Sequence, residues 1–218
     1  VSARQVGGDF YDVSPIDEDH VGLAIADVSG KSVSGALMMS VCRSLLRIVS
    51  KDCLSPRDAL CRLNRMIAGD LPDDMFITFL YMVLNTRTRD LTVSRAGHMP
   101  PIVYSREDGT LAAIESGGMG VGLADPDLFE ETLEEKTVRL KPGDLVLGYT
   151  DGVTEAMDQA GSEWGVLSLS QTLQISALNR DASAQDMLDQ IRRKLLTFIG
   201  DTPQYDDMTL VVLHVKKG

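Results

Sequence analysis

The sequence predicts an α+β domain in which two antiparallel sheets pack face to face and helices cover the outside. Three observations lead there. Strand-like stretches, helix-like stretches, a second strand block, more helices and a final strand follow one another along the chain. The middle block carries many short strands separated by turn-rich segments, as in an antiparallel sheet. With 44% hydrophobic residues over 218 positions, the chain can bury one substantial core, read here as a single domain over 1–218. Sheets and helices that are apolar on one side pack most economically as stacked layers.

The elements follow in order. Residues 6–13 and 20–27 read as strands around the turn-rich "SPIDED", the second alternating Val21, Leu23 and Ile25 against Gly22, Ala24 and Ala26. A hairpin turning about Glu18 sets Val13 opposite Leu23, Tyr11 opposite Ile25 and Asp9 opposite Asp27. The run "GALMMSVCRSLLRIV" at 35–49 is too long for a strand and apolar nearly all round, which predicts a helix buried between layers. Ser55-Pro56 opens a second helix with proline at the first helical position and Ala59, Leu60, Leu63, Met66 and Ile67 at helical spacing.

Strands are expected at 75–84, 89–95, 101–105, 110–115, 130–140 and 144–150. Helices follow near 163–175 and at 183–199, the latter with an apolar stripe of Leu188, Ile191, Leu195 and Phe198 or Ile199, and a strand at 208–215 ends the pattern. The acidic "FEETLEE" at 129–135 reads as a solvated strand edge. The run "GGMGVG" at 117–122 misses the spacing of a dinucleotide loop and reads as a flexible surface loop.

Charge and cysteines narrow the function. A net charge of -11 disfavours DNA or RNA, because affinity for phosphate backbones comes mostly from clustered Lys and Arg. Cys42, Cys53 and Cys61 are odd in number and lack zinc-site spacing, so they read as core thiols of a cytoplasmic protein. No apolar run reaches the ~18 residues that span a bilayer, and no membrane role is expected. The chain starts at Val1 almost directly in strand-like sequence, which predicts a domain excised from a longer protein with an upstream regulatory region.

The aspartates carry the chemistry. Like charges directly opposed across a strand pair are destabilising, so Asp9 facing Asp27 calls for compensation. A strand ends at Asp151 in "LVLGYTDG" and another starts at Asp206 and Asp207 in "QYDDMTLVVL". Antiparallel pairing of the two brings these positions together. Converging carboxylates suit hard, oxygen-preferring cations such as Mg²⁺ or Mn²⁺. Each aspartate alone has a turn-forming or solvated explanation; their recurrence at strand ends in "GGD", "DVSG", "TDG" and "YDD" favours a shared site.

Five stretches in this order, "VGGDFYD", "ADVSGK", "AGHMPP", "LGYTDGVTEA" and "QYDDMTL", resemble the metal-dependent protein phosphatases, and closely their bacterial sporulation and stress-response branch, the SpoIIE/RsbU-like serine phosphatases. The resemblance implies a four-layer αββα sandwich. It implies two Mn²⁺ or Mg²⁺ ions held or oriented by Asp9, Asp27, Asp151 and Asp206, with the Val28 carbonyl as a further ligand; these aspartates are the catalytic set. Asp207, counted with the metal ligands, falls where many relatives carry Asn. The activity implied is hydrolysis of phosphoserine or phosphothreonine by water activated between the ions, on a phosphorylated protein such as an anti-sigma factor antagonist. Residues 34–68 would form a switch element answering to an upstream domain or activator, and homodimerisation stays open. A catalytically silent phosphatase-like interaction module is the alternative.

Several residues stay unassigned under that resemblance. Ser29 stands where eukaryotic relatives have His, leaving the proton donor to the departing alkoxide open. His98 is either part of a family motif or a loop histidine fixing a turn before two prolines, and His214 reads as structural. Arg4 lies where distant relatives bind phosphate, yet its spacing from Asp9 sets it on the opposite strand face unless Gly7-Gly8 bulges. "GGDFYD" also approaches the GGDEF signature of cyclic-dinucleotide synthases. Its place at the start of the chain and Phe as its fourth letter exclude that reading.

Overall fold

The first hairpin forms in the register its alternation dictates. In the computed structural model, which describes residues 7–30, 33–72, 74–179 and 181–216, β1 (Phe10–Pro15) and β2 (His20–Val28) pair antiparallel with Tyr11 opposite Ile25 and Val13 opposite Leu23. The helices α1 (Val33–Val49) and α2 (Pro56–Ile67) follow, then β3 (Ile77–Asn85), β4 (Asp90–Ala96), β5 (Ile102–Tyr104) and β6 (Leu111–Ala113). The rest comprises α3 (Pro126–Thr132), β7 (Glu135–Arg139), β8 (Leu145–Tyr149), α4 (Asp151–Thr154), α5 (Gly165–Leu178), α6 (Ala184–Ile199) and β9 (Leu210–His214).

The strands form one sheet ordered β1-β2-β3-β4-β7 and another ordered β6-β5-β8-β9, antiparallel throughout. Three apolar clusters separate four layers. Met39, Cys42, Leu60, Leu63 and Phe129 seal α1, α2 and α3 onto the first sheet. Ile25, Leu80, Val93 and Val146 fill the space between the sheets. Leu169, Leu173, Met187 and Ile191 pack α5 and α6 against the second sheet. Gly148 lets the sheets approach, since a Cβ there would collide with Ile25 Cδ1.

Helix starts are locally encoded. Ser55 caps α2 by accepting from the Asp58 amide, with Pro56 at the first position. Ser183 and Asp186 form a reciprocal capping box at α6.

Four expectations are corrected. The α1 helix is not buried between layers: Gly35, Met39, Cys42 and Leu46 face the sheet, while Val33, Leu37, Val41 and Ile48 are exposed on its far side. One sheet covers only one face of a helix, so an all-round apolar sequence leaves an uncovered stripe. The expected strand at 130–140 begins only at Glu135, because Asp125 caps α3 and Pro126 starts it, burying Phe129. The glycine run is a tightly packed connection rather than a flexible loop: a Cβ at Gly118 would collide with the Arg95 carbonyl, and Val121 is fully buried beside Ile77. On α6 the buried stripe is Met187, Ile191, Leu195 and Ile199, so Met187 takes the place expected of Leu188, which is only partly covered.

Candidate metal centre

The predicted aspartates gather at one end of the sandwich because they all lie where strands of the two sheets begin or stop. Asp9 immediately precedes β1, Asp27 is the penultimate residue of β2, Asp151 opens α4 just beyond β8, and Asp206 and Asp207 lead into β9. Thr150 joins the two sheets here. Its hydroxyl donates to Asp9 Oδ2 at 2.7 Å, and its amide donates to the Thr209 carbonyl at 3.2 Å. The Thr209 amide in turn donates to the Thr150 hydroxyl at 3.0 Å. Neither threonine was singled out from the sequence. The available signal was a threonine within two positions of an aspartate at each of two strand ends, in "YTDG" and "DMTL".

Glycines bring the backbone close. A Cβ on Gly8 would lie 3.3 Å from Asp27 Oδ1 and 3.4 Å from the Val28 carbonyl oxygen, so both oxygens border the same small space. At Gly152 a Cβ would collide with the Asp207 carbonyl, which is why "TDG" can lie against the start of β9. The buried Asp207 carboxylate accepts from the Gly8 amide at 2.5 Å and the Asp9 amide at 3.4 Å. It therefore orients the "GGD" backbone.

The electrostatics record the crowding. Burial, followed by the charges of Asp9 and Asp151, pushes the Asp27 carboxyl up to about 8. Asp206 adds to the same repulsion. Asp9 is raised by burial too, against hydrogen bonds from Thr150 and Thr209 that hold it down. Among its neighbours, Asp9 contributes most to the rise of Asp27.

Among the described residues no three His, Cys, Asp or Glu side chains close on one point as cation ligands would. Two features fit a divalent cation. Asp9 Oδ1 is buried with no N–H or O–H donor hydrogen-bonded to it among the described residues, and the Gly8 cradle keeps Asp27 Oδ1 and the Val28 carbonyl uncovered by any side chain of its own. An all-oxygen donor set of this kind suits Mg²⁺ or Mn²⁺.

The remaining candidates sort cleanly. His98 is buried, with Nδ1 2.8 Å from Thr78 Oγ1 and Nε2 3.1 Å from the Tyr149 carbonyl oxygen. Ser29 Oγ accepts from the Phe76 amide at 2.8 Å, a structural use. His214 lies in β9, its imidazole held below the usual range by partial burial and by Arg106 and Lys216. Arg4 lies outside the described residues. All three cysteines are buried and free, and burial pushes the Cys42 thiol up to about 12.

The model of stage II sporulation protein E (SpoIIE) matches residues 17–216. The chain belongs to the SpoIIE family. It is 32% identical to the phosphoserine phosphatase RsbU of Bacillus subtilis over 99% of its own length, while spanning 62% of that relative. The SiaA PP2C domain of Pseudomonas aeruginosa has the same fold, with a TM-score of 0.79 at 22% identity over 98% of this chain and 82% of that one. RsbX, whose structure was solved in complex with magnesium, shares it with a TM-score of 0.69 at 15% identity over 96% and 87% of the two chains. Two antiparallel sheets flanked by helices are thus the PP2C-type phosphatase architecture.

Proposed function

We propose that this domain is a cytoplasmic serine/threonine protein phosphatase that uses two Mn²⁺ or Mg²⁺ ions to hydrolyse phosphoserine or phosphothreonine, with an anti-sigma factor antagonist as the type of substrate. The observation that carries this reading is the meeting of carboxylates from both sheets around the Gly8 cradle, where burial and repulsion drive Asp27 up to about 8. The relatives support it: RsbU is a phosphoserine phosphatase, and RsbX was crystallised with magnesium.

Asp9, Asp27, Asp151, Asp206 and the Val28 carbonyl would hold the ions. Divalent cations supply Lewis acidity there, acidifying water and offsetting charge on the phosphoryl oxygens. The chain's own residues set the stage for this. Thr150 fixes Asp9 through Oδ2 and so turns Oδ1 into the site. Asp207 accepts from the Gly8 and Asp9 amides through Oδ2, so besides any place among the ligands it would support the backbone that carries Asp9. A thiolate nucleophile is excluded among the cysteines, since all three are buried and Cys42 is held protonated.

Regulation would pass through residues 34–68, by an upstream domain or activator acting on α1 and α2. The exposed apolar stripe of α1 supports that role. Arg62, exposed on α2, gives a test: Arg62→Ala should alter activation by such a partner more than the basal rate.

The deciding experiment is turnover of a phosphoserine peptide with added Mn²⁺, with and without chelator. Turnover that needs the ion and disappears in Asp27→Asn supports the reading. Full turnover in excess chelator would overturn it. No turnover under any metal condition would favour a silent interaction module, whose carboxylates need not close on a cation.

A further inference from the structure

The segment "AGHMPP" crosses from one sheet to the other, since β4 ends at Ala96 and β5 begins at Ile102. His98 lies within it, 3% exposed, and both of its ring nitrogens are engaged. The Nε2 partner is the Tyr149 carbonyl, which can only accept, so Nε2 carries the proton and donates. Nδ1 then holds the lone pair and accepts from the Thr78 hydroxyl. One neutral tautomer satisfies both contacts, in keeping with burial that pushes the imidazole down to about 4.

The two partners are not arbitrary. Thr78 is the residue on β3 directly opposite Asp27 of β2, and its hydroxyl lies 3.5 Å from the Asp27 carbonyl oxygen. Tyr149 ends β8, two positions before Asp151. The imidazole therefore spans from the strand beside Asp27 in the first sheet to the strand that delivers Asp151 in the second.

The turn itself does not need the ring. Gly97 takes the left-handed backbone conformation, φ 70°, and its amide donates to the Gly118 carbonyl at 3.1 Å. Arg95 holds the His98 carbonyl at 2.5 Å and the Ser116 carbonyl at 2.8 Å. With the backbone shaped by these bonds, the imidazole is left to make a cross-sheet link.

We propose that His98 is a positioning residue that ties the two sheets together beneath the carboxylates and sets the spacing between Asp27 and Asp151, and thereby the affinity of the site for its divalent cation. This inference rests on the metal-centre reading above. A residue supporting ligands from behind typically changes metal affinity ~10–100-fold when removed. The nearer analogue of its inter-sheet half is Gln, whose amide N–H can reach the Tyr149 carbonyl as Nε2 does. The nearer analogue of its Thr78 half is Asn.

The test is calorimetric Mn²⁺ binding to the wild-type chain, to His98→Leu, His98→Gln and Thr78→Val, and to the His98→Gln/Thr78→Val double variant, with circular dichroism to confirm folding. His98→Leu should bind Mn²⁺ at least ~10-fold more weakly, and His98→Gln should recover part of the loss. Thr78→Val should weaken binding in the wild type and add little on top of His98→Gln, where that bond is already gone. Folded His98→Leu that binds Mn²⁺ as tightly as wild type, with only its melting temperature lowered, would overturn the proposal and leave an ordinary buried histidine. If His98→Leu does not fold, His98→Gln and Thr78→Val decide together: wild-type affinity in both overturns it. A wild-type chain that binds no Mn²⁺ would instead remove the metal-centre reading and this inference with it.

Discussion

At the residue scale the deciding quantity is the raised carboxyl of Asp27. The Asp27 carboxyl sits at about 8 in the folded protein, because burial and the neighbouring aspartates disfavour its charge, against ~3.9 in an unfolded chain. A raised folded value means the carboxyl favours folding below the unfolded value and loses that contribution as pH climbs through about 8. Without added metal, stability should fall from acid toward mildly alkaline pH, and Asp27→Asn should flatten that fall. Ligands must be deprotonated to bind a cation, so Mn²⁺ titration at pH 7 should release close to one proton. Calorimetry in two buffers of different ionisation enthalpy measures this, and no buffer dependence would count against Asp27 as a ligand. With saturating Mn²⁺ the wild type should become the more stable of the two, since binding to the native state alone stabilises it by mass action. Asp9, Asp27, Asp151 and Asp206 were legible in the sequence because carboxylates at strand ends recur there. Thr150 and the bridging role of His98 were not, because what makes them matter is contact between sheets, which strand periodicity does not encode.

At the element scale the attachment of α1 to β1 is the feature that composition concealed. Asp12 lies buried on β1, and the α1 residues Arg47 and Arg43 reach it: Arg47 Nε and Nη2 donate at 2.6 and 2.7 Å, Arg43 Nη2 at 3.4 Å. Arg47 holds the Asp12 carboxyl below its ordinary range. A lowered folded value gives stability that is present above the unfolded value and lost as pH falls through the lowered one. Asp12→Asn should therefore lower the melting temperature near neutral pH and make no difference at strongly acid pH. Hydrogen bonds to charged groups contribute up to ~3 kcal/mol, reduced here because Arg47 is half exposed and water screens it; at ~2–4 °C per kcal/mol the drop is a few degrees. A scan that finds equal melting temperatures at neutral pH would show the pair to be idle. The register of the β1-β2 hairpin was readable to the residue because period-two alternation and a turn fix it. The uncovered face of α1 was not, since an apolar pattern says what could be buried and not what is available to bury it. The short α3 was overlooked because the acidic run hid the Asp125-Pro126 start signal.

At the scale of the whole molecule, a cation site built from these carboxylates would depend on the spacing of the two sheets, for Asp9 and Asp27 lie at strand ends of one and Asp151 and Asp206 beside strand ends of the other. Gly148 of β8 packs closely against the other sheet: a Cβ there would collide with Ile25 Cδ1 of β2 and lie 3.3 Å from Leu80 Cδ2 of β3. Gly148→Ala should force the layers apart and destabilise the domain by ~1–3 kcal/mol, as overpacking does. Ile25→Val removes the colliding methyl and alone costs ~0.5–1.5 kcal/mol through the cavity it leaves. In the double variant the alanine methyl enters that cavity, so the combined loss should be smaller than the sum of the single losses by at least ~0.5 kcal/mol. Mn²⁺ affinity should follow the same pattern, weakened in Gly148→Ala and partly restored by Ile25→Val, although neither residue touches a carboxylate of the site. Urea denaturation and Mn²⁺ calorimetry on the four proteins measure both quantities. Strict additivity in stability would mean that the sheets do not bear on each other at Gly148. Coupling in stability without any change in Mn²⁺ affinity would mean that the carboxylates tolerate the displacement, and that the spacing of the sandwich does not govern the site.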